Sequence, residues 1–118
     1  MYWWNFKRKK TKKNYQILKK QIEKGLKSIK NKSKIIIAYE PVWSIGTGVI
    51  PKEADLNKTI LFIKSRFVKK YPKILYGGSV NANNVSILKR IPSIDGFLIG
   101  GASQNPKKFI DIIKKTIN

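Results

Sequence analysis

The sequence predicts an α/β fold of parallel strands joined by helices, and three observations carry that prediction. Short β-branched apolar runs without alternation recur, the first being Ile35-Ile36-Ile37-Ala38-Tyr39. Stripes with apolar residues every three or four positions separate them, as amphipathic helices do. The connections are short, and strands alternating with helices in this way form parallel pairs with right-handed crossovers. Alternation by itself fits an open doubly wound sheet as well as part of a (β/α) barrel.

The elements follow in order. Tyr15, Leu18, Ile22, Leu26 and Ile29 share one face of a Lys-rich helix. The run 35–39 reads as a strand buried on both faces, because a strand with one wet face alternates. A Pro/Gly loop spans Pro41 to Pro51, and Leu56, Ile60, Ile63 and Phe67 form a second helical stripe. Lys73-Ile74-Leu75-Tyr76 is a second strand ending in Gly77-Gly78-Ser79. Asn81 is placed to cap a helix carrying Val85, Leu88 and Ile91. Gly96-Phe97-Leu98-Ile99 is a third strand, ending in Gly100-Gly101. Pro106, a favoured first-turn residue, opens a last helix with Phe109, Ile112, Ile113 and Ile117.

Composition narrows the function classes. The chain has 118 residues, enough for one short domain, and contains no His and no Cys. Thiol chemistry, disulfides, zinc fingers and a Ser-His-Asp triad are thereby excluded. No apolar run approaches the roughly 20 residues that span a bilayer, and no signal-peptide pattern follows Met1. The expectation is a cytoplasmic chain with no membrane partner. Lys+Arg number 26 against 6 Asp+Glu, a net charge of +20. Thirteen of those cations lie in residues 1–34, where Glu23 is the only acid. An alternative reading is therefore a nucleic-acid-binding module in 1–34, with Tyr2, Trp3, Trp4 and Phe6 as stacking surfaces beside Lys7, Arg8, Lys9 and Lys10. Against it, 23 cations are Lys and only 3 are Arg, the side chain suited to bidentate recognition. A Lys-, Ile- and Asn-rich chain also follows from AT-rich coding, so a solvated basic surface without nucleic acid is the preferred reading.

Chemistry in folds of this kind collects at the C-terminal ends of the strands. The first strand delivers Glu40 there, and desolvation at such a position favours a basic carboxylate able to act as a general base. Pairing with a Lys or capping a helix are structural alternatives. The second and third strands end in Gly77-Gly78-Ser79 and Gly100-Gly101. Glycines let the backbone approach a ligand, and freed N–H groups can cradle an anion. Two tight βα turns are the alternative, though two on successive strands point to phosphate. Ile45-Gly46-Thr47-Gly48 is a third Gly-rich loop, without the six-residue dinucleotide fingerprint.

These residues carry a family resemblance. Ala38-Tyr39-Glu40-Pro41-Val42-Trp43-Ser44-Ile45-Gly46-Thr47-Gly48 resembles the signature of triosephosphate isomerase, which usually has Ala where this chain has Ser44. Ile74-Leu75-Tyr76-Gly77-Gly78-Ser79-Val80 and Asp95-Gly96-Phe97-Leu98-Ile99-Gly100-Gly101-Ala102-Ser103 are similar to its next two strand ends. The resemblance covers residues 14–118 and implies three parallel strands and four helices of a partial (β/α) barrel, the C-terminal half, with 1–13 an unmatched basic arm. It implies Glu40 as the base that moves a proton in a triose phosphate through an enediolate. It implies a lid over residues 41–48, hinged at Pro41-Val42-Trp43, and phosphate held by the backbone N–H groups of Gly46, Ser79, Gly100 and Gly101. Ile45 and Leu98 correspond to apolar residues that press on the base when the lid shuts. No metal and no cofactor are implied.

The family's other catalytic groups, a Lys on the first strand and a His after the fourth, have no counterpart among these 118 residues. The expectation is a truncated product that is inactive alone: unstable, self-associating, or dependent on a separate N-terminal fragment. A homodimer is expected for the full-length family.

Overall fold

The structure is a computed structural model that describes residues 12–41 and 44–118. The stacking residues of the basic arm, Tyr2 to Lys10, and the hinge residues Val42 and Trp43 lie outside the described residues. Four helices alternate with three strands: α1 (Lys12–Gly25), β1 (Ile36–Tyr39), α2 (Glu53–Lys64), β2 (Lys73–Tyr76), α3 (Val85–Leu88), β3 (Gly96–Phe97) and α4 (Pro106–Ile117). The strands form one parallel sheet in the order β1-β2-β3. This is an open section of an α/β barrel.

One face of the sheet carries the core. Ile74 and Tyr76 are fully buried, and Ile37, Tyr39, Phe97 and Ile99 pack around them. Leu56, Ile60 and Ile63 of α2 cover this face, with Val85 and Leu88 of α3 and Ile112 of α4. The second stripe thus buries as its spacing predicts. Helix α1 docks beside α2, its Tyr15 ring centroid 4.5 Å from that of Phe62. Helix α1 ends at Gly25, so Ile29 falls beyond it and is exposed.

The other face is open, which corrects the expectation for β1. Ile36 is 65% exposed and Ala38 is exposed. The reason is geometric: all the packed helices lie on one side, and three strands do not close into a barrel whose inner face would shield itself. Strand β3 pairs over only Gly96–Phe97, shorter than expected. Asp95, just before it, holds the sheet by another route. Its N–H donates to the Ile74 carbonyl at 2.9 Å, and its carboxylate accepts the Ile74 N–H at 2.8 Å. The Lys64 ammonium stands 3.2 Å from the same carboxylate. Partial burial pushes the Asp95 carboxyl up, but the Ile74 N–H and Lys64 outweigh it and hold the pKa below the ordinary value.

Helix α3 is shorter than its stripe predicts: it spans Val85–Leu88, leaves Ile91 beyond it, and its N-cap is Asn84, which makes no side-chain cap bond. Asn81 Oδ1 accepts the N–H groups of Asn83 and Asn84 in the turn leading into α3, both at 2.9 Å. In α4, Asn105 Oδ1 accepts the Lys108 N–H, and Pro106 occupies the first turn. Of the α4 stripe only Ile112 is fully buried; Ile113 and Ile117 are exposed. Among the described residues no helix is long and apolar enough to cross a membrane.

Candidate active site

Parallel register assembles the site at the C-terminal ends of the strands. Tyr39 pairs with Tyr76, and Tyr76 with Phe97. One step further, the Gly77 N–H donates to the Tyr39 carbonyl at 2.9 Å and the Leu98 N–H to the Tyr76 carbonyl at 3.0 Å. Glu40, Gly77 and Leu98 therefore form a row. Strand side chains alternate, so this row belongs to the open face with Ile36, Ala38 and Leu75, away from the helices.

Glu40 lies directly over Gly77. A Cβ built on Gly77 would stand 2.7 Å from Glu40 Cγ and 3.0 Å from its Oε1. Any side chain at position 77 would displace the carboxylate. The first glycine of the pair is thus required by Glu40 itself, a reason that spacing alone did not reveal. The carboxylate is half-buried and sits against Gly77, which lies two residues along the chain from Ser79.

The second glycine is required by a buried hydroxyl cluster. A Cβ at Gly78 would meet Tyr76 Oη at 2.2 Å, Tyr76 Cζ at 2.6 Å and Ser44 Oγ at 2.8 Å. Ser44 is fully buried. Its hydroxyl lies 2.8 Å from Tyr76 Oη, donates to the Val49 carbonyl and accepts the Ser79 N–H at 3.1 Å. Burial raises the Tyr76 pKa, partly countered by its hydrogen bonds to Ser44 and Ser79, so the phenol stays protonated. Ser79 answers through its own side chain: the Gly48 N–H donates to Ser79 Oγ at 3.0 Å. Asn84 fixes the turn from behind, donating to the Ser79 carbonyl at 2.9 Å.

The loop reaches this cluster through a tight turn. The Ser44 N–H donates to the Pro41 carbonyl at 2.8 Å, and Thr47 Oγ1 donates to the Ser44 carbonyl at 3.1 Å. Gly46 and Gly48 have φ of +70° and +76°, the left-handed region that favours glycine. Ile45 on this turn is 40% exposed and Leu98 is 45% exposed.

The third strand ends in open backbone. Gly100 leads into a short 3-10 turn, Gly101–Gln104, where the Ser103 N–H donates to the Gly100 carbonyl at 2.9 Å. A Cβ at Gly100 or Gly101 would meet nothing within 4 Å. These glycines are free of the steric demands that fix Gly77 and Gly78, and their approach side is accessible to an anion. Among the described residues no group of three potential metal ligands forms.

Register and the loop turn thus bring together Glu40, Gly77, Ser44, Gly48 and Ser79, with Leu98 in the same row. Sequence reasoning missed Ser44 and Tyr76 as partners of the Ser79 turn. The only signal was a polar residue where the resembled signature usually carries Ala.

Comparison with known proteins shows the family. The family model described as triosephosphate isomerase matches residues 5–116. A triosephosphate isomerase of Thermodesulfovibrio yellowstonii is 41% identical over 115 residues, covering 92% of this chain and 47% of the relative. That of Mycoplasma mobile is 48% identical over 102 residues, covering 86% of the chain and 42% of the relative. That of Dictyostelium discoideum is 48% identical over 92 residues, covering 72% and 36%. The chain spans less than half the length of these curated relatives. With nearly the whole chain matched, and the parallel strand ends carrying the signature residues, the chain belongs to the triosephosphate isomerase family.

Proposed function

We propose that this chain supplies the proton-transfer carboxylate and phosphate-holding amides of a site that interconverts dihydroxyacetone phosphate and D-glyceraldehyde 3-phosphate, the isomerisation of glycolysis and gluconeogenesis. The observation that carries the reading is the Glu40 carboxylate lying over Gly77, at the open end of a parallel sheet and beside the Ser79 turn.

Glu40 removes a proton from C1 of the ketose. The C–H electron pair becomes the C1–C2 double bond of an enediolate, and the carbonyl oxygen takes the charge. The resulting carboxylic acid returns the proton to C2, giving the aldose. The amides of Gly46, Gly100 and Gly101 hold the phosphate, with Ser79 as a fourth position. Residues 41–48 form the lid, with Ile45 and Leu98 as its apolar clamp. Closing them over Glu40 would exclude water and strengthen the carboxylate as a base.

The carbonyl also needs an electrophile. One preorganised donor is typically worth about 10²–10³ in rate, and the chain has no His to serve as one. Completion therefore comes from polypeptide outside these residues, docking on the open face that carries Ile36, Ala38 and Leu75, within an assembly that dimerises. Residues 14–118 constitute the barrel portion, and the protein works in the cytoplasm. The test is isomerisation of glyceraldehyde 3-phosphate by the chain alone and mixed with the N-terminal half of a relative. No turnover is expected alone. Turnover should rise on mixing and vanish with Glu40→Gln. Turnover that survives Glu40→Gln refutes the assignment of the base.

A further inference from the structure

The hydrogen bonds of Ser44 form a closed set. A serine hydroxyl has one donor and two acceptor sites. The Ser44 proton goes to the Val49 carbonyl, so both remaining sites receive: one from the Tyr76 hydroxyl at 2.8 Å, the other from the Ser79 N–H at 3.1 Å. The group is fully buried and fully satisfied. It joins the start of the loop turn to its end at Val49, and both to the turn after β2. A second bond, from the Gly48 N–H to Ser79 Oγ, runs in parallel.

We propose that Ser44 is a positioning residue that latches loop residues 44–49 onto the turn after β2, and that its hydroxyl holds the amide hydrogen of Ser79 in place of an anion oxygen. This deepens the phosphate reading above and rests on it only for the ligand. The Ser79 N–H, one of four amides assigned to phosphate from the sequence, already has an acceptor inside the protein. An incoming phosphoryl group engages Gly100 and Gly101 directly but must displace Ser44 Oγ to reach Ser79. That exchange couples occupancy of the fourth position to the loss of one bond tying the loop to the turn, while the Gly48 bond to Ser79 Oγ remains. An Ala at position 44 has no oxygen to offer, so the Ser79 amide stands ready.

Two readings on the full chain test this, using inorganic phosphate as the probe. Amide hydrogen exchange of the wild-type chain should show Ser79 protected relative to Gly100 and Gly101. Ser44→Ala should speed Ser79 exchange by about tenfold or more, a hydrogen bond's worth. Ser79→Ala removes the parallel bond from Gly48 yet leaves the residue 79 N–H on Ser44 Oγ, so that amide should stay protected. A general loosening would expose the residue 79 amide in both variants and overturns the proposal. If Ser44→Ala does not fold, the wild-type comparison decides: Ser79 exchanging as fast as Gly100 overturns it. In the phosphate titration, Ser79 should respond at several-fold higher concentration than Gly100 in the wild type, and together with Gly100 in Ser44→Ala. Equal response in the wild type overturns the competition. Silence of Gly100 and Gly101 in both proteins refutes the phosphate reading, while exchange at Ser79 still decides the latch.

Discussion

Substituting Gly78 with Ala sets the buried hydroxyl cluster against an unavoidable methyl group. The new Cβ would stand 2.2 Å from Tyr76 Oη, 2.6 Å from Cζ and 2.8 Å from Ser44 Oγ. Tyr76 and Ser44 are both at 0% exposure, so neither can move into solvent. Backbone strain is not the issue, since positive φ occurs only at Gly46 and Gly48 among the described glycines. Overpacking of this kind costs about 1–3 kcal/mol, and parting the hydroxyls strands buried polar groups at about 1–3 kcal/mol. A loss of about 3 kcal/mol, near 10 °C in melting temperature for a chain of this size, is expected. Gly77→Ala is the control. Its Cβ would collide with Glu40 Cγ at 2.7 Å, but a half-buried carboxylate can swing into solvent. That substitution should cost less than about 1 kcal/mol while moving the carboxylate off its row. Urea unfolding followed by circular dichroism compares the two. A Gly78→Ala chain as stable as the parent, or less affected than Gly77→Ala, refutes the packing account.

Three further outcomes follow from the same physics. Gly48→Ala faces no steric obstacle but must hold φ at +76°, so about 1 kcal/mol should be lost in urea unfolding and largely recovered by Gly48→Asn, a residue that tolerates this region. Ile112 is the fully buried residue of α4, and Ile112→Ala should cost about 2–5 kcal/mol and speed amide exchange along α4 before the sheet. The Asp95 pKa is depressed in the folded chain, so its contribution is complete above the ordinary value of 3.8 and is lost as pH falls through the lower folded value. Thermal melts below pH 4 should show that loss, and Asp95→Asn, less stable at neutral pH, should lack it.

Much of this architecture could be read from the chain because it depends on local pattern. Leu56, Ile60 and Ile63 bury as their spacing requires, and Pro106 with Asn105 opens α4. The row of Glu40 with Gly77 follows once parallel pairing is accepted. What could not be read depends on partners remote in sequence. Ser44 and Ser79 are 35 positions apart, and only folding shows that the hydroxyl of one takes the amide of the other. The run 35–39 gave no sign that Ile36 would be exposed, since apolarity records what a strand is suited to bury, not what covers it here. Ile29 continues the α1 periodicity past Gly25, where the helix has ended.

The central claim is that Glu40 and the amides of Gly100 and Gly101, which follow β3, face one ligand. The most direct measurement is a titration with glycerol 3-phosphate, followed by the amide shifts of the chain and the carboxylate signal of Glu40 in about 0.5 M salt, where the Debye length is only ~4 Å. Such salt suppresses adventitious anion binding to a chain of net charge +20. Gly100, Gly101 and Glu40 should shift together with one saturation curve. Shifts confined to lysine-rich surface, disappearing as salt rises and leaving Glu40 unmoved, would contradict the account.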